Sequence, residues 1–256
     1  KAIIMKVIFF DVAGTLLSHN TNQIPESTIQ ALDLLKEKGI LRVLCTGRHM
    51  KELEEMNFSY MDFDAWILLN GQLILNKEKQ VIWSNPVINH TLIDLFVQNK
   101  YPIQLLEEKD FYINYVNDYV RFAQKSIHTA VPEIKKYNGN VIYQGIGFVN
   151  EEQEKELKKL LKDCLITRWN PYAVDIVSKD GGKGKAIKQF LHLYNLSKEE
   201  SMAFGDGFND QDMLKEVNIG VAMGNAVDEL KEMASYVTSD IDYDGIYNAL
   251  IHFNIL

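Results

Sequence analysis

Three short, largely apolar runs in this chain each stop at a polar cluster, and that repeated junction restricts the fold more than any other feature. Residues 7–10 end at Asp11, with Gly14 close behind; 41–45 end at Thr46-Gly47-Arg48; and 201–204 end at Gly205-Asp206-Gly207. Near-continuous apolar runs of this length suit strands buried on both faces, as in a parallel sheet covered by helices. Between the first two runs, Pro25 and Ser27 open a helix whose Ile29, Leu32 and Leu35 share a face and which Gly39 closes. A polar helix from about Lys51 leads to a third strand, 65–69, ending at Asn70-Gly71. Strand and helix alternating in this way predict right-handed crossovers and an α/β fold, a Rossmann-like parallel sheet with helices on both faces.

The rhythm breaks at about residue 72. Residues 73–75 and 81–83 flank Lys77-Glu78-Lys79, which reads as a hairpin. Beyond it the pattern predicts a helix at 91–98, strands at 103–106, 112–116 and 141–143, a charged helix at 151–162, and strands at 165–168 and 173–177. That set describes an α+β unit with antiparallel pairing. The α/β rhythm resumes with a helix from Lys183, a strand at 201–204, another at 219–222, and helices at 227–234 and 245–253. The expected organisation is a discontinuous core, 1–80 and 182–256, with an inserted cap domain at 81–181.

A length of 256 residues and a hydrophobic content of 46% supply ample material for two packed units. The formal charge of −8 argues against nucleic acid, whose binders carry a basic face, yet leaves room for a small phosphorylated metabolite wherever a local cation or metal supplies positive charge. Cys45 and Cys164 lie far apart with no ligand spacing, consistent with a reducing, cytoplasmic setting. No apolar run approaches the ~20 residues of a membrane span. The opening segment has no small-residue cleavage site, so no signal peptide is expected, and the chain is expected to be a monomer or small homo-oligomer. The six histidines show no ligand spacing, and no role is assigned to them.

In open α/β sheets ligands bind at the carboxyl ends of the strands, so the clusters at Asp11, Thr46 and 206–210 are expected to converge despite their separation in sequence. Asp11 and Asp206 offer hard oxygen ligands of the kind magnesium takes, together with waters and substrate phosphate. Thr46 and the backbone at Gly47 can hydrogen-bond phosphate oxygens, and Lys183 at a helix start adds positive charge. Each residue alone has a plainer reading: Asp11 as a turn residue or cap, Lys183 as a solvated side chain, Thr46-Gly47-Arg48 as a turn. Two glycines, two acids and an amide within 205–210 exceed what a turn needs.

The segments FFDVAGTLLS (9–18), VLCTGR (43–48), GGKGKA (181–186) and GDGFNDQDML (205–214), followed by GVAMGNA (220–226), resemble the four signature motifs of haloacid dehalogenase-type hydrolases. The likeness spans nearly the whole chain. With Asn70-Gly71 and an insert between the second and third motifs, it is similar to the Cof-type phosphatases with a C2-type cap. The resemblance implies Asp11 as a nucleophile that forms an aspartyl-phosphate, Thr46 and Lys183 on the phosphoryl oxygens, and Val12, Gly47, Asn70 and Asn209 around the phosphate. It further implies Mg²⁺ held by Asp11, Asp206 and the backbone carbonyl of residue 13, with Asp210 in support.

The departure is Ala13, where the family carries a second aspartate that protonates the leaving oxygen and then activates water. Alanine does neither, while its carbonyl remains. An engineered substrate-trapping change and natural divergence towards a weak enzyme both account for it. For the leaving group, Arg48 and the segment Arg168-Trp169-Asn170-Pro171-Tyr172 with Asp175 are the candidates, although Trp169 and Tyr172 read equally well as cap core and Asp175 as a solvated strand residue. The expected activity is a small-metabolite phosphatase impaired by Ala13, the alternatives being a phosphomutase or a noncatalytic phosphometabolite-binding protein.

Overall fold

The computed structural model describes residues 4–256. The described residues divide into two compact units, the first formed by those up to Gly47 with 62–83 and 183–256 and the second by 48–61 and 84–182.

Along the chain, β1 (Val7–Phe10) is followed by α1 (Glu26–Glu37), β2 (Leu41–Cys45), α2 (Met50–Glu55), β3 (Ala65–Leu68), β4 (Leu73–Asn76) and β5 (Val81–Ser84). Then come α3 (His90–Val97), β6 (Ile103–Leu106), β7 (Phe111–Ile113), α4 (Asp118–Ser126), β8 (Gln144–Gly147), α5 (Glu151–Leu160), β9 (Cys164–Asn170) and β10 (Ala173–Ser178). The final third holds α6 (Lys183–Leu193), β11 (Ser201–Gly205), α7 (Gln211–Glu216), β12 (Ile219–Ala222), α8 (Asp228–Met233), β13 (Tyr236–Val237) and α9 (Gly245–His252).

The first unit is built on a sheet of order β13-β12-β11-β1-β2-β3-β4-β5. From β13 to β3 every pairing is parallel, and β4 turns antiparallel against β3. The α/β fold with a parallel sheet is therefore as the sequence implies. β1 lies at the centre, with Val7 beside both Ser201 and Leu41, and all four of its side chains are fully buried. The pattern VIFF has no polar position because both faces are covered. On one face Phe9 packs edge-on against Phe190 of α6; on the other Phe10 stacks on Phe204. In α1, Thr28, Ala31, Leu32 and Leu35 form the buried side, whereas Ile29 is 44% exposed, so the apolar stripe is rotated from the one expected.

The second unit carries a five-stranded antiparallel sheet of order β7-β6-β8-β10-β9. One apolar layer joins Leu92, Leu95 and Phe96 of α3 and Leu157 of α5 to Ile103, Leu105, Val174 and Ile176 of the strands. The strand expected at 141–143 forms at 144–147, because Ile142 is spent instead on a backbone bond that holds Val87. The strand expected at 112–116 stops at Ile113, where Asn114 turns its side chain onto Ile103 N, Phe96 O and Tyr101 O. Helix α4 has no counterpart in the sequence reading; it is opened by Asn117, whose side chain accepts from Val120 N.

Residues 48–61, read from the sequence as core, group with the second unit. His49, Arg48 and Lys51 tie the segment there, Arg48 through Thr129 and Lys51 through Asp110. The Nδ1 of His49 caps α2 by accepting from Lys51 N, and its Nε2 lies 2.8 Å from the Glu107 carbonyl. Burial keeps its pKa below the ordinary histidine value, which suits a neutral ring that accepts on one nitrogen and donates on the other.

Candidate active site

The ends of β1, β2, β3 and β11 bring together most of the residues singled out in the sequence. Asp11 follows β1 directly and is 7% exposed. Lys183, the first residue of α6, is 1% exposed and donates to Asp11 Oδ1 at 2.9 Å and to Asp210 Oδ1 at 2.6 Å. Burial by itself would favour the neutral amine, but the two carboxylates outweigh it and hold the Lys183 pKa well above its usual value. Asp11, Asp206 and Asp210 each offer an oxygen within 4.8 Å of the others. Burial first, and then the charges of Asp11 and Asp210, raise the Asp206 pKa well above the carboxylate range.

Asp210 has a different task from its neighbours. It is fully buried, one oxygen taken by Lys183 and the other accepting from the backbone N–H groups of Asp206 and Gly207. That wiring folds the 206–210 loop into a tight turn that places Asp206 and Asn209. Burial, then the Asp11 charge, pushes the Asp210 carboxyl up to about 6 against the lowering effect of Lys183.

The loop after β1 wraps onto this cluster. Val12 is buried, and its carbonyl accepts from Thr15, Leu16 and Leu17 N–H. Ala13 is half-buried and bridges to Leu17. Gly14 has φ +80°, and a Cβ placed there would fall 2.0 Å from Asp206 Oδ2, so both conformation and space demand glycine. Thr15 Oγ1 donates to Asp206 Oδ1 at 3.0 Å.

Thr46 is 2% exposed at the end of β2, its N–H donating to Ile67 O and its carbonyl accepting from Asn70 N. After β3, Leu69, Asn70 and Gly71 all take positive φ, 54°, 56° and 95°. Asparagine and glycine tolerate that region, but for leucine it costs about 1–2 kcal/mol. The turn lays the Asn70 carboxamide against Gly47, where an added Cβ would sit 3.0 Å from Asn70 Oδ1, and that oxygen accepts from Asn209 Nδ2 at 3.0 Å.

A match to the haloacid dehalogenase-like hydrolase family covers residues 8–250. The chain belongs to the haloacid dehalogenase-like hydrolases. It is 33% identical to a Bacillus subtilis (strain 168) protein named "Putative phosphatase YkrA", over 98% of both chains. It is 28% identical to the 5-amino-6-(5-phospho-D-ribitylamino)uracil phosphatase YcsE of the same organism, over 97% of this chain and 96% of that one. Among solved structures, the subclass IIB sugar phosphatase BT4131 superposes with a TM-score of 0.86 at 34% identity, over 98% of this chain and 100% of the other.

Of the residues singled out in the sequence, Asp11, Ala13, Thr46, Gly47, Asn70, Lys183, Asn209, Asp206 and Asp210 lie in the first unit. Arg48, Trp169 and Asp175 belong to the second. The Arg48 guanidinium bonds Glu52 Oε2 and Thr129 Oγ1. Trp169 is the extra residue of a β-bulge, skipped as Ala173 pairs with Asn170 and Val174 with Arg168, and its buried indole N–H has no partner among the described residues. Asp175 is half-buried on β10, opposite Thr167 and Ile146.

Three positioning groups escaped the sequence reading. Thr15 holds Asp206; Asp212 accepts from Gly184 N and so fixes the start of α6; Asn225 donates to Gly14 O and accepts from Ile241 N. All three stand inside the quoted motifs, and for Thr15 and Asn225 a short polar side chain next to a glycine was the available signal.

Proposed function

We propose that the chain is a magnesium-dependent phosphatase that takes a small phosphorylated metabolite, a sugar phosphate or similar ester, and forms an aspartyl-phosphate on Asp11. The single observation that carries this reading is the buried Asp11–Lys183–Asp210 contact with Asp206 alongside, at the carboxyl ends of adjacent parallel strands. Three carboxylates face one ammonium there, a donor set of hard oxygens with an excess of negative charge that fits a divalent cation. Asp11, Asp206 and the Ala13 carbonyl would hold the metal, with Asp210 supporting from behind; bound there, it would neutralise phosphoryl charge.

The chain's own residues account for the remaining chemistry. Asp11 attacks phosphorus with the oxygen not held by Lys183, and the substrate oxygen leaves with the electrons of the broken P–O bond. Lys183, already paired and therefore fixed in place, stabilises charge on the transferring phosphoryl oxygens without reorganising. Thr46, the Gly47 backbone and Asn209 supply hydrogen-bond donors from the neighbouring loops. Ala13 offers no proton to the leaving oxygen and no base to the water that must cleave the acyl-phosphate, so turnover is slow. The names of YcsE and BT4131 support a polyhydroxylated ester.

Ala13 also favours a second reading, a phosphometabolite-binding protein without turnover. Phosphate release from a panel of phosphorylated sugars and nucleotide precursors, with and without magnesium, separates the two. Release that needs magnesium supports the phosphatase; tight binding of a panel member with no release, even after Ala13→Asp, supports the binding protein.

A further inference from the structure

The turn after β3 places three consecutive residues in the left-handed region, including Leu69, whose side chain is fully buried and draws no benefit from that conformation. Strain of this kind persists where the surroundings enforce it, and here the enforced outcome is the location of one side chain. Asn70 is 6% exposed and touches two other loops of the site at once. Its N–H donates to the Thr46 carbonyl at 3.0 Å, its carboxamide packs on Gly47, and its Oδ1 accepts from Asn209 Nδ2 at 3.0 Å.

Asn209 makes that one side-chain hydrogen bond among the described residues and is half-buried. Its amide nitrogen carries two hydrogens at a fixed angle, so tying one to Asn70 fixes the direction of the other. We propose that Asn70 is a positioning residue: it locks the Asn209 amide so that the second N–H is aimed as a donor for a phosphoryl oxygen, and it ties that donor to the Thr46–Gly47 loop. The inference rests on the phosphatase reading of the site and adds to it a division of labour between the two asparagines, in which Asn209 touches the phosphate and Asn70 acts through Asn209.

The test is a set of phosphate-affinity measurements by titration calorimetry on the full chain, with inorganic phosphate as the probe and magnesium saturating. Asn70→Gly keeps the left-handed backbone and removes the carboxamide. Asn70→Asp keeps both the backbone preference and an acceptor for Asn209. Asn209→Ala is expected to weaken phosphate binding about tenfold in the unaltered chain, the order expected for one hydrogen bond to a charged group. In the Asn70→Gly background the same Asn209→Ala change should have almost no further effect, because the donor is already unaimed. In the Asn70→Asp background its full effect should persist, and this arm decides the matter if Asn70→Gly does not fold. Independent, multiplying effects of Asn70→Gly and Asn209→Ala would overturn the inference, as would loss of the Asn209 effect in Asn70→Asp. Phosphate binding that Asn70→Gly leaves intact refutes the role of Asn70 alone, whereas no phosphate binding by the unaltered chain refutes the phosphatase reading and this inference with it.

Discussion

Replacing Ala13 by aspartate should speed turnover, and the gain should depend on the leaving group. Residue 13 follows Asp11 by two positions, is half-buried, and precedes a glycine whose Cα faces the Asp206 carboxylate. A carboxyl introduced here enters a region already rich in negative charge, which raises its pKa and keeps a useful fraction protonated near neutral pH. A positioned acid–base group is worth ~10²–10⁴ in rate, or about 2.7–5.4 kcal/mol of barrier at 1.36 kcal/mol per decade. An alkyl phosphate, whose alkoxide must be protonated as it leaves, should show that whole gain. With p-nitrophenyl phosphate the leaving anion is stable unaided, so the unaltered chain should phosphorylate Asp11 readily and then stall for want of a base. Stopped-flow absorbance should record a stoichiometric burst of p-nitrophenolate before slow turnover, and Ala13→Asp should remove the burst by speeding the second step. Magnesium affinity should change little, since the metal is assigned to the backbone carbonyl. Steady-state phosphate release from an alkyl phosphate, measured for both chains with saturating magnesium, is the companion assay. A gain below tenfold on the alkyl ester would refute the reasoning, because another group would then be handling the proton.

Asp206→Asn should severely weaken magnesium binding while the fold survives, and titration calorimetry showing unchanged affinity would remove Asp206 from the metal site. Lys183→Met leaves Asp11 and Asp210 buried without their cation and should destabilise the metal-free protein by about 3–5 kcal/mol, read from urea unfolding at pH 8; a loss under 1 kcal/mol would show that the ammonium is dispensable to the fold. The metal-free protein should lose stability as pH rises from the unfolded carboxylate value near 4 to about 6, because Asp210 with its raised pKa binds more protons folded than unfolded across that window. Magnesium competes with those protons, so the rise in Tm on adding it should grow with pH over the same range; a magnesium effect that is flat from pH 4 to 7 would contradict the linkage.

Much of the first unit was legible because its signals are local. A run such as VIFF followed by Asp11 declares both a doubly buried strand and a polar loop at its end, and the parallel order follows from the alternation with helices. The grouping of Asp11 with Asp206 and Lys183 required the further rule that ligands lie at the carboxyl ends of such strands, since 195 residues separate the two acids. What stayed hidden depends on three-dimensional neighbours. The Asn114 side chain stops β7 by bonding backbone groups far away in sequence, and His49 joins residues 48–61 to the second unit through the Glu107 carbonyl. Neither contact leaves a periodicity. Helix α4 was missed because its sequence is mostly polar, with Val120 and Ala123 as its buried apolar positions, so its stripe is too narrow to stand out.

The central place of β1 also governs how the molecule assembles during synthesis. The β2 partner of one edge of β1 is synthesised early, at residues 41–45, whereas the partner of the other edge, β11, begins only at Ser201. Until then the nascent chain holds an apolar strand with an open hydrogen-bonding edge, the kind of template that recruits other strands. The strands of the second unit's antiparallel sheet, all within residues 103–178, are synthesised before β11. Assembly of this sheet thus depends on a late, long-range closure, and Asp11, one of the first residues made, gains Lys183 and Asp206 only after most of the chain has been synthesised.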